Sequence, residues 1–521
     1  MKKNCYITTP IYYASGNVHI GNSYSTVACD TFARYHRLKG DDTYFLTGMD
    51  EHGQKIENAA KNNDVTPQEF VNKIAIQTKA LWGNLNVTND DFICTSEERH
   101  TKVVQDIFEQ LLAQDDIYLG HYEGDYCVPC EAFFTKSQLN EDGTCPDCGR
   151  KTIKVQEESY FLRLKKYEKQ LLDYIKANND FIQPASRRNE VISFIEQGLE
   201  DLCVSRTSFK WGIPVKSNPK HVIYVWIDAL SNYITALGYG SDDPSKFEKY
   251  WLNNEQQLYH VIGKDILRFH AIYWPIMLMA LNIPINFKLY VHGWILMKEG
   301  KMSKSVGNIV YPMDVVNEYG LDSLRYYLVK EMPLGNDGLF SWDRFIERYN
   351  VELANDLGNL VSRSISMINK YFDSEVVKPT QKYFEEDNDF EEIMDSSVFK
   401  TMKNFDNFEF QTGLNDLWTI VRRANKYIDE TAPWVLAKDE TKKEALQSVM
   451  YHLYEALRLT AILVNPVMPD ASQIILEELG VEEKNKTFES LKYGVTDKAV
   501  VTKTPIVLFK RLDVQKELAK H

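Results

Sequence analysis

The sequence predicts an α/β fold, in which a doubly wound parallel sheet is split by an insert and followed by an all-α bundle. Three observations support this prediction. Short β-favouring runs alternate with segments of helical period over residues 1–115, and the same alternation returns over 221–297. Two C-x-x-C pairs lie between these halves, within residues 116–220. Apolar residues recur at helical spacing through most of residues 343–521.

Composition limits the class of protein. The chain has 521 residues, 44% of them hydrophobic, and a net charge of −14 at pH 7, as expected of a globular protein with several domains. A nucleic-acid partner would therefore have to be held by local basic patches. The start of the chain lacks the long apolar run of a secretory signal, and the longest apolar run, Ile272 to Ile285, is too short to cross a bilayer. We expect a cytoplasmic protein with no membrane partner.

The first candidate site is the loop Thr9–Asn22. It follows a predicted strand, Cys5–Thr8, and precedes a helix with one apolar face that Gly40 closes. Doubly wound sheets bind ligands at such a position. Free amides at the helix start suit a phosphate, and so do the small or hydrogen-bonding residues His19, Gly21 and Asn22. An ordinary surface loop is the alternative.

Later strand ends place more side chains at the same edge of the sheet. Asp50 follows the predicted strand Thr43–Thr47 and suits an ammonium or a ribose, although a helix cap is the simpler interpretation. In the second half, Trp226, Asp265 and His292 are expected to reach the crevice. The strands predicted there are His221–Trp226, Leu258–Gly263 and Leu289–Gly293. For Trp226 and Tyr233, the alternative is an ordinary place in the core.

The insert contains a predicted metal site. Cys127 and Cys130 form one C-x-x-C pair, Cys145 and Cys148 form the other, and fourteen residues separate the pairs. Four thiolates satisfy tetrahedral Zn²⁺, and a closed site of four cysteines is structural. Two redox dithiols are the alternative. Arg206, near the end of the insert, is interpreted either as a fixed cation or as a solvated one.

A lysine-rich loop opens the region 298–342. Lys301 and Lys304 suit a triphosphate, because the charge they meet grows as pyrophosphate leaves. A solvated loop is the alternative. In the helical part that follows, the acidic segment Ser374–Glu392 is predicted to be a linker, and Thr504–Arg511 is predicted to pack back as an extended arm.

Two of these loops carry a family resemblance. His19–Asn22 and Lys301–Ser305 together resemble the paired signature of class I aminoacyl-tRNA synthetases. Within that class, the chain resembles the methionyl-tRNA synthetase family along nearly its whole length, in the bacterial form with a single zinc knuckle. The stretches that carry this resemblance are Thr9–Tyr13, Thr47–Gly53, the four cysteines, Tyr224–Ala229, Val291–Trp294, Ala354–Asn359 and Thr431–Trp434.

The resemblance implies a split Rossmann-like sheet with a zinc-knuckle insert and an all-α anticodon-binding bundle. The implied activity is that of a methionine–tRNA ligase, which forms methionyl-adenylate from methionine and Mg²⁺-ATP and transfers the aminoacyl group to the 3′ adenosine of tRNA(Met). The resemblance also implies one structural Zn²⁺ on Cys127, Cys130, Cys145 and Cys148.

The same resemblance implies roles for individual residues. The residues implied to bind ATP are His19, Gly21, Asn22, Gly263, Lys264, Asp265, Lys301 and Lys304, of which His19, Asn22, Lys301 and Lys304 are the catalytic ones. The implied methionine site consists of Ile11, Tyr13, Asp50, Arg206, Trp226, Ala229, Leu230, Tyr233 and His292. In that site Asp50 holds the substrate ammonium, with Arg206 as its ion partner. Anticodon reading by stacking and hydrogen bonding is implied for Asn359, Arg363 and Trp434.

Two features depart from the family pattern. Asn22 stands where the family usually has His; Asn still donates a hydrogen bond to a phosphate oxygen, so we expect retained activity. A catalytically impaired, tRNA-binding paralogue is the alternative. The chain stops at His521, without the dimerising extension of many bacterial relatives, and we therefore expect a monomer.

Other class I synthetases fit the sequence less well. Synthetases for branched amino acids need an editing insert for which the chain has no room. A synthetase for cysteine needs an open zinc site, whereas the site predicted here is closed.

Overall fold

The computed structural model describes residues 3–16, 18–128, 132–134, 139–146, 149–253, 257–298, 300–301, 309–331 and 333–521. The chain divides into two compact units, Met1–Cys29 with Asp41–His292 and Asp30–Gly40 with Gly293–His521. A parallel sheet in the first unit and helices in the second confirm the predicted α/β class. The finer domain boundaries stay predictions.

A seven-stranded parallel sheet forms the centre of the first unit. Its strand order is Tyr12–Tyr13, Asp42–Asp50, Asn4–Thr8, Gln257–Gly263, Phe287–His292 and Ile182–Gln183, and Asp91–Cys94 pairs with Asp42–Asp50. The strands that follow Asn4–Thr8 most closely in sequence lie on one side of it in the sheet, and the later strands lie on its other side. The carboxyl end of this strand is therefore a topological switch point, where such sheets bind ligands. Its residues are buried on both faces, as their continuous apolar pattern predicts.

Helices flank this sheet. Gly40 has a φ of +88° and follows the helix Ile20–Leu38, which confirms the predicted left-handed end. The other helices outside the insert are Gln54–Asn62, Pro67–Asn84, Glu98–Ala113, Val225–Thr235, Ser245–Phe247 and Trp274–Ala280, together with the π-helical segments Glu248–Leu252 and Phe269–Tyr273 and the 3₁₀ turn Lys264–Ile266.

One predicted strand is wrong. Only Val222–Ile223 of the stretch His221–Trp226 forms a strand, and a helix begins at Val225. Trp226 therefore lies in the first turn of a helix and not at a strand end. A short apolar run is ambiguous between the two states, and here the acid Asp228 in the first turn favours the helix start.

The insert forms an antiparallel sheet of four strands, in the order Ala132–Phe134, Ile117–Cys127, Ile153–Leu162 and Leu202–Cys203. Its helices are Leu164–Ala177 and Ala185–Ile195, and the short strand Ser205–Arg206 pairs with Val222–Ile223. Between the two helices, Ile182–Gln183 joins the edge of the central sheet. The insert is thus attached to the sheet by main-chain hydrogen bonds.

The second unit is mainly helical. Its strands are Ile295–Met297, Gly300–Lys301, Gly338–Leu339, Glu375–Val377 and Lys498–Val500. Its helices are Pro312–Tyr319, Leu321–Glu331, Trp342–Arg348, Asn359–Phe372, Glu385–Asp406, Phe410–Thr431, Pro433–Leu436, Lys443–Val464, Pro469–Glu478 and Val514–Leu518, with the π-helical segment Tyr349–Gly358 and 3₁₀ turns at Glu440–Lys442, Glu483–Asn485 and Phe488–Ser490.

The predicted linker Ser374–Glu392 is also wrong. Glu375–Val377 pairs with Lys498–Val500, and Glu385 begins a long helix. Three of the acidic residues that suggested a linker, Glu385, Glu386 and Asp387, occupy the first helical turn, where the helix dipole favours them. Among them, Asp387 is fully buried and accepts hydrogen bonds from the main-chain N–H groups of Tyr383 and Phe384.

The predicted extended arm near the C-terminus is confirmed. Residues 504–511 have no helix or strand, yet they pack on the bundle. The Ile506 N–H donates to Glu478 at 2.6 Å, and Phe509 is buried. Throughout the part of the chain that the structure describes, no helix is long and apolar enough to cross a membrane.

Candidate functional site

The loop Thr9–Asn22 ends in a self-capped helix start. The Gly21 N–H donates to His19 Nδ1 at 3.1 Å, and the His19 N–H donates to Asn22 Oδ1 at 3.4 Å. As in a capping box, the residue before the helix accepts from one main-chain N–H of the first turn and its own N–H donates to a first-turn side chain. Because Nδ1 accepts, the ring proton is on Nε2, which is therefore a donor. The first turn contains no acidic residue, so the positive end of the helix is suited to an anion.

Gly263 and His292 lie side by side at the carboxyl ends of neighbouring strands. A Cβ on Gly263 would lie 2.4 Å from Asp265 Oδ1, so a larger residue here would displace the Asp265 side chain. His292 Nε2 lies 2.7 Å from Ser25 Oγ, and its ring packs edge-on against Tyr24. His292 was expected in the methionine site; these contacts place it beside the predicted ATP residues. Its role stays a prediction.

Three residues predicted for the methionine site meet in one apolar cluster. Ile11 and Trp226 pack against Tyr224 and Ala229. The Trp226 ring is stacked on Phe269, with centroids 3.5 Å apart and planes 7° apart. Sequence reasoning missed Phe269, although it lies in an aromatic-rich stretch only a few residues beyond Asp265. Trp226 thus contacts the helical segment that contains Phe269, and it packs on the same cluster as Ile11 of the first loop.

Tyr233 forms a buried hydrogen bond that sequence reasoning also missed. Its hydroxyl lies 2.7 Å from His270 Nε2, and His270 Nδ1 lies 3.0 Å from the carbonyl oxygen of Ile266. A carbonyl only accepts, so Nδ1 donates and Nε2 accepts from Tyr233. Burial lowers the pKa of His270 to about 4, so the ring is neutral at pH 7. Tyr233 and Leu230 are both deeply buried.

Asp50 and Tyr13 lie opposite each other on paired strands. The Asp50 carbonyl accepts from the Ala14 N–H at 2.9 Å, and the side chain is buried. Arg206 is buried in the insert, where it donates to Glu157 and, at 2.9 Å, to Ser208. The Glu157 carboxylate was missed from the sequence. The predicted Arg206–Asp50 pair stays a prediction.

The lysine-rich loop begins with a hairpin. Gly300–Lys301 pairs with Ile295–Met297, and Gly300 has a φ of +104°, a value that glycine adopts without strain. Lys304 and the rest of the predicted Lys301–Ser305 signature after Lys301 lie outside the described residues.

Two of the four predicted zinc ligands are described. Cys127 and Cys145 are completely buried, and they pack against each other and Leu139. The Cys145 carbonyl accepts from the Gly149 N–H at 2.8 Å. Cys130 and Cys148 lie outside the described residues, and within the described ranges no cluster of three or more His, Cys, Asp or Glu could hold a metal.

The three residues predicted to read an anticodon are exposed in the second unit. Asn359 and Arg363 are one turn apart on the same helix, and both are exposed. Arg363 Nη2 lies 3.8 Å from Asp429 Oδ1, near the end of the helix Phe410–Thr431. Trp434 follows that helix and is 44% exposed, unusually high for such a large apolar ring.

Family models match almost the whole chain. A model described as class I tRNA synthetases (M) matches residues 5–157 and 148–365. A second, described as the anticodon binding domain of methionyl tRNA ligase, matches residues 377–518.

Individual relatives match at similar length. A methionine–tRNA ligase of Caldanaerobacter subterraneus is 52% identical over 519 residues, which are 100% of this chain and 80% of the relative. One from Enterococcus faecalis is 52% identical, over 99% of this chain and 78% of the relative. A Mycobacterium tuberculosis methionyl-tRNA synthetase bound by methionyl-adenylate gives a TM-score of 0.93 at 38% identity, covering 98% of this chain and 100% of that one. The apo form gives 0.84 at 35% identity, over 98% and 99%.

Proposed function

The chain belongs to the methionyl-tRNA synthetase family of class I tRNA synthetases, and from this premise we propose that it joins methionine to tRNA(Met) in two ATP-dependent steps. The methionine carboxylate attacks the α-phosphorus of ATP and pyrophosphate leaves; a hydroxyl of the tRNA 3′ adenosine then attacks the carbonyl carbon of the adenylate, and AMP leaves. One observation carries this proposal. The loop Thr9–Asn22 contributes Ile11 to an apolar cluster and His19 to a helix start, so that one loop serves both substrates.

Positioning and charge stabilisation suffice for this chemistry, because no covalent enzyme intermediate is needed. The His19 Nε2–H and the helix start behind it would donate to phosphate oxygens, and Gly263 would admit the adenosine close to the main chain. Mg²⁺ bound with ATP would neutralise phosphate charge. The contributions of Lys301 and Lys304 stay predictions.

The apolar cluster would receive the methionine side chain. The stacked Trp226 and Phe269 rings offer a flat, polarisable wall, which suits a thioether. His270, the residue after Phe269, forms a neutral pair with Tyr233, which presents no net charge to an uncharged side chain. The Asp50 carboxylate would hold the ammonium. Specificity would thus come from an apolar wall at one end and a charge at the other.

Amino-acid-dependent exchange between ATP and pyrophosphate, measured with each of the twenty amino acids, tests this function. We expect exchange with methionine alone. Exchange with a different amino acid would contradict the proposal. If no amino acid supported exchange, the result would favour the impaired paralogue, an alternative that none of the relatives named above supports. If the native chain were inactive and Asn22→His restored exchange, the expectation that Asn22 is functional would be wrong.

Replacing Trp434 by alanine should weaken tRNA charging without changing adenylate formation. A base stacked on an exposed ring contributes about 1–3 kcal/mol, so kcat/KM for tRNA(Met) should fall roughly five- to hundredfold. Aminoacylation and pyrophosphate exchange are measured on the same preparation. Phe399→Ala is the matched control, since Phe399 is another exposed aromatic of the second unit, at 68% exposure. Equal charging by both variants would rule out a role for Trp434.

The cysteine pairs should hold one structural Zn²⁺ per chain. We propose this because Cys127 and Cys145 come from different pairs and still pack together. Elemental analysis of the purified chain should find one equivalent of zinc, and Cys127→Ser should lose it, because a closed site needs all its ligands. Cys94→Ser, at a buried cysteine outside the pairs, should keep the metal. A zinc content of zero in the native chain would contradict the proposal.

The predicted monomeric state and cytoplasmic location also belong to this proposal. Light scattering on the full chain tests the monomer, and the mass of a dimer would overturn it.

A further inference from the structure

A buried carboxylate joins two separate segments of the first unit. Asp228 is completely buried in the helix Val225–Thr235. Its Oδ2 lies 2.7 Å from His52 Nδ1, and its Oδ1 lies 2.8 Å from His100 Nε2. The other ring nitrogen of His100 lies 2.7 Å from Thr235 Oγ1, at the far end of the same helix.

These contacts connect the two ends of the proposed methionine site. His52 is two residues beyond Asp50, the residue proposed to hold the ammonium. Asp228 lies between Trp226 and Ala229, which belong to the apolar cluster. The carboxylate therefore ties the turn that follows Asp50 to the helical turn that carries the apolar wall.

The turn after Asp50 is also held from its other side. The His52 ring packs edge-on against Trp211, with centroids 5.4 Å apart. Trp211 Nε1 in turn donates to the carbonyl oxygen of Glu51 at 2.5 Å. With both sides held, the turn has little freedom to move relative to the helix while the Asp228 contacts persist.

The chemistry of the network requires a carboxylate. Burial alone would raise the pKa of Asp228, but the adjacent His52 and His100 rings outweigh it and keep that pKa below its usual value. A carboxylate accepts at both oxygens, whereas the amide of asparagine accepts at one atom and donates at the other. An asparagine here replaces one accepting oxygen by an NH2 donor, so that one histidine must either change tautomer or give up its buried hydrogen bond.

We propose that Asp228 is a positioning residue that sets the distance between the ammonium and thioether ends of the methionine site, through His52 and His100. The inference rests on the proposed function, because it takes Asp50 and Trp226 as substrate contacts. A fixed distance selects for the length of the substrate side chain. A substrate with one more methylene between nitrogen and sulfur cannot occupy both ends of the site without strain, and its kcat/KM is therefore lower.

The test is pyrophosphate exchange with L-methionine and with L-homomethionine, in the native chain and in Asp228→Asn. The ratio of the two kcat/KM values measures selection for length. We expect this ratio to fall at least about fivefold in the variant. The fall should come from a higher KM for methionine, with KM for ATP unchanged within about twofold. Asp242→Asn, at an exposed acid, is the control and should keep the native ratio.

A merely structural role would lower activity with both substrates equally and leave the ratio unchanged, which would overturn the inference. If Asp228→Asn does not fold, variants of His100 answer the same question. His100→Gln retains a donor near the position of Nε2 and should keep the ratio, whereas His100→Leu should lower it. A native chain without methionine-dependent exchange would instead refute the proposed function, so the two failures are distinguishable.

Discussion

Replacing His19 by asparagine should slow methionyl-adenylate formation about 10²- to 10³-fold while leaving the fold intact. The substitution separates two functions of one ring. His19 Nδ1 accepts from the Gly21 N–H and caps the helix, whereas Nε2–H points away from the cap. Asparagine is a good N-cap and can accept from the same N–H, but it has no atom at the position of Nε2. It therefore keeps the cap and loses the phosphate donor.

His19→Ala completes the comparison. It loses both functions, so it should match the slow exchange of the asparagine variant and also lower the melting temperature, because an N-cap contributes about 1 kcal/mol. Single-turnover adenylate formation and thermal unfolding are the two measurements. His121→Asn, at an exposed histidine of the insert, is the control. Adenylate formation at the native rate in His19→Asn would show that Nε2 donates nothing to the phosphates.

Local sequence patterns determined the parts of the fold that were predicted well. The strand before Thr9–Asn22 was predicted from a short β-favouring run, and the helix after it from apolar residues at helical spacing. Gly40 marks the end of that helix as expected. The same patterns failed where one run is compatible with two states. At Trp226 a short apolar stretch became helix, and the acidic segment after Ser374 became a helix start.

The missing parts of the site depend on contacts between residues distant in sequence. Phe269 reaches Trp226 across 43 residues (269 − 226), and Glu157 reaches Arg206 across 49. Asp228 meets His52 across 176 residues. A local sequence pattern cannot show which buried histidine pairs with which buried carboxylate, because the packing of the whole unit determines these pairs. The family resemblance identified the residues that match the family motifs, whereas their partners distant in sequence became visible only in the structure.

Asp50 should be the residue on which methionine binding depends most. Its side chain is buried at the end of a parallel strand, beside Tyr13. Removing one partner of a buried ion pair costs about 3–5 kcal/mol, because the remaining charge is left without compensation. For Asp50→Asn this converts to a loss of roughly 100- to 4,000-fold in kcat/KM for methionine. ATP does not contact the ammonium, so its KM should stay close to the native value.

An analogue without the ammonium shows whether the loss comes from this charge. 4-(Methylthio)butanoic acid keeps the thioether and the carboxylate, and its competition with methionine in the exchange assay gives an inhibition constant. The native chain should bind it much more weakly than methionine, and Asp50→Asn should bind both with similar, low affinity, because neither can then form the ion pair. Asp64→Asn, at an exposed acid, should behave as the native chain. If Asp50→Asn still preferred methionine by the native factor, the ammonium would be held elsewhere, and Glu51, the next buried carboxylate along the chain, would be the first residue to test.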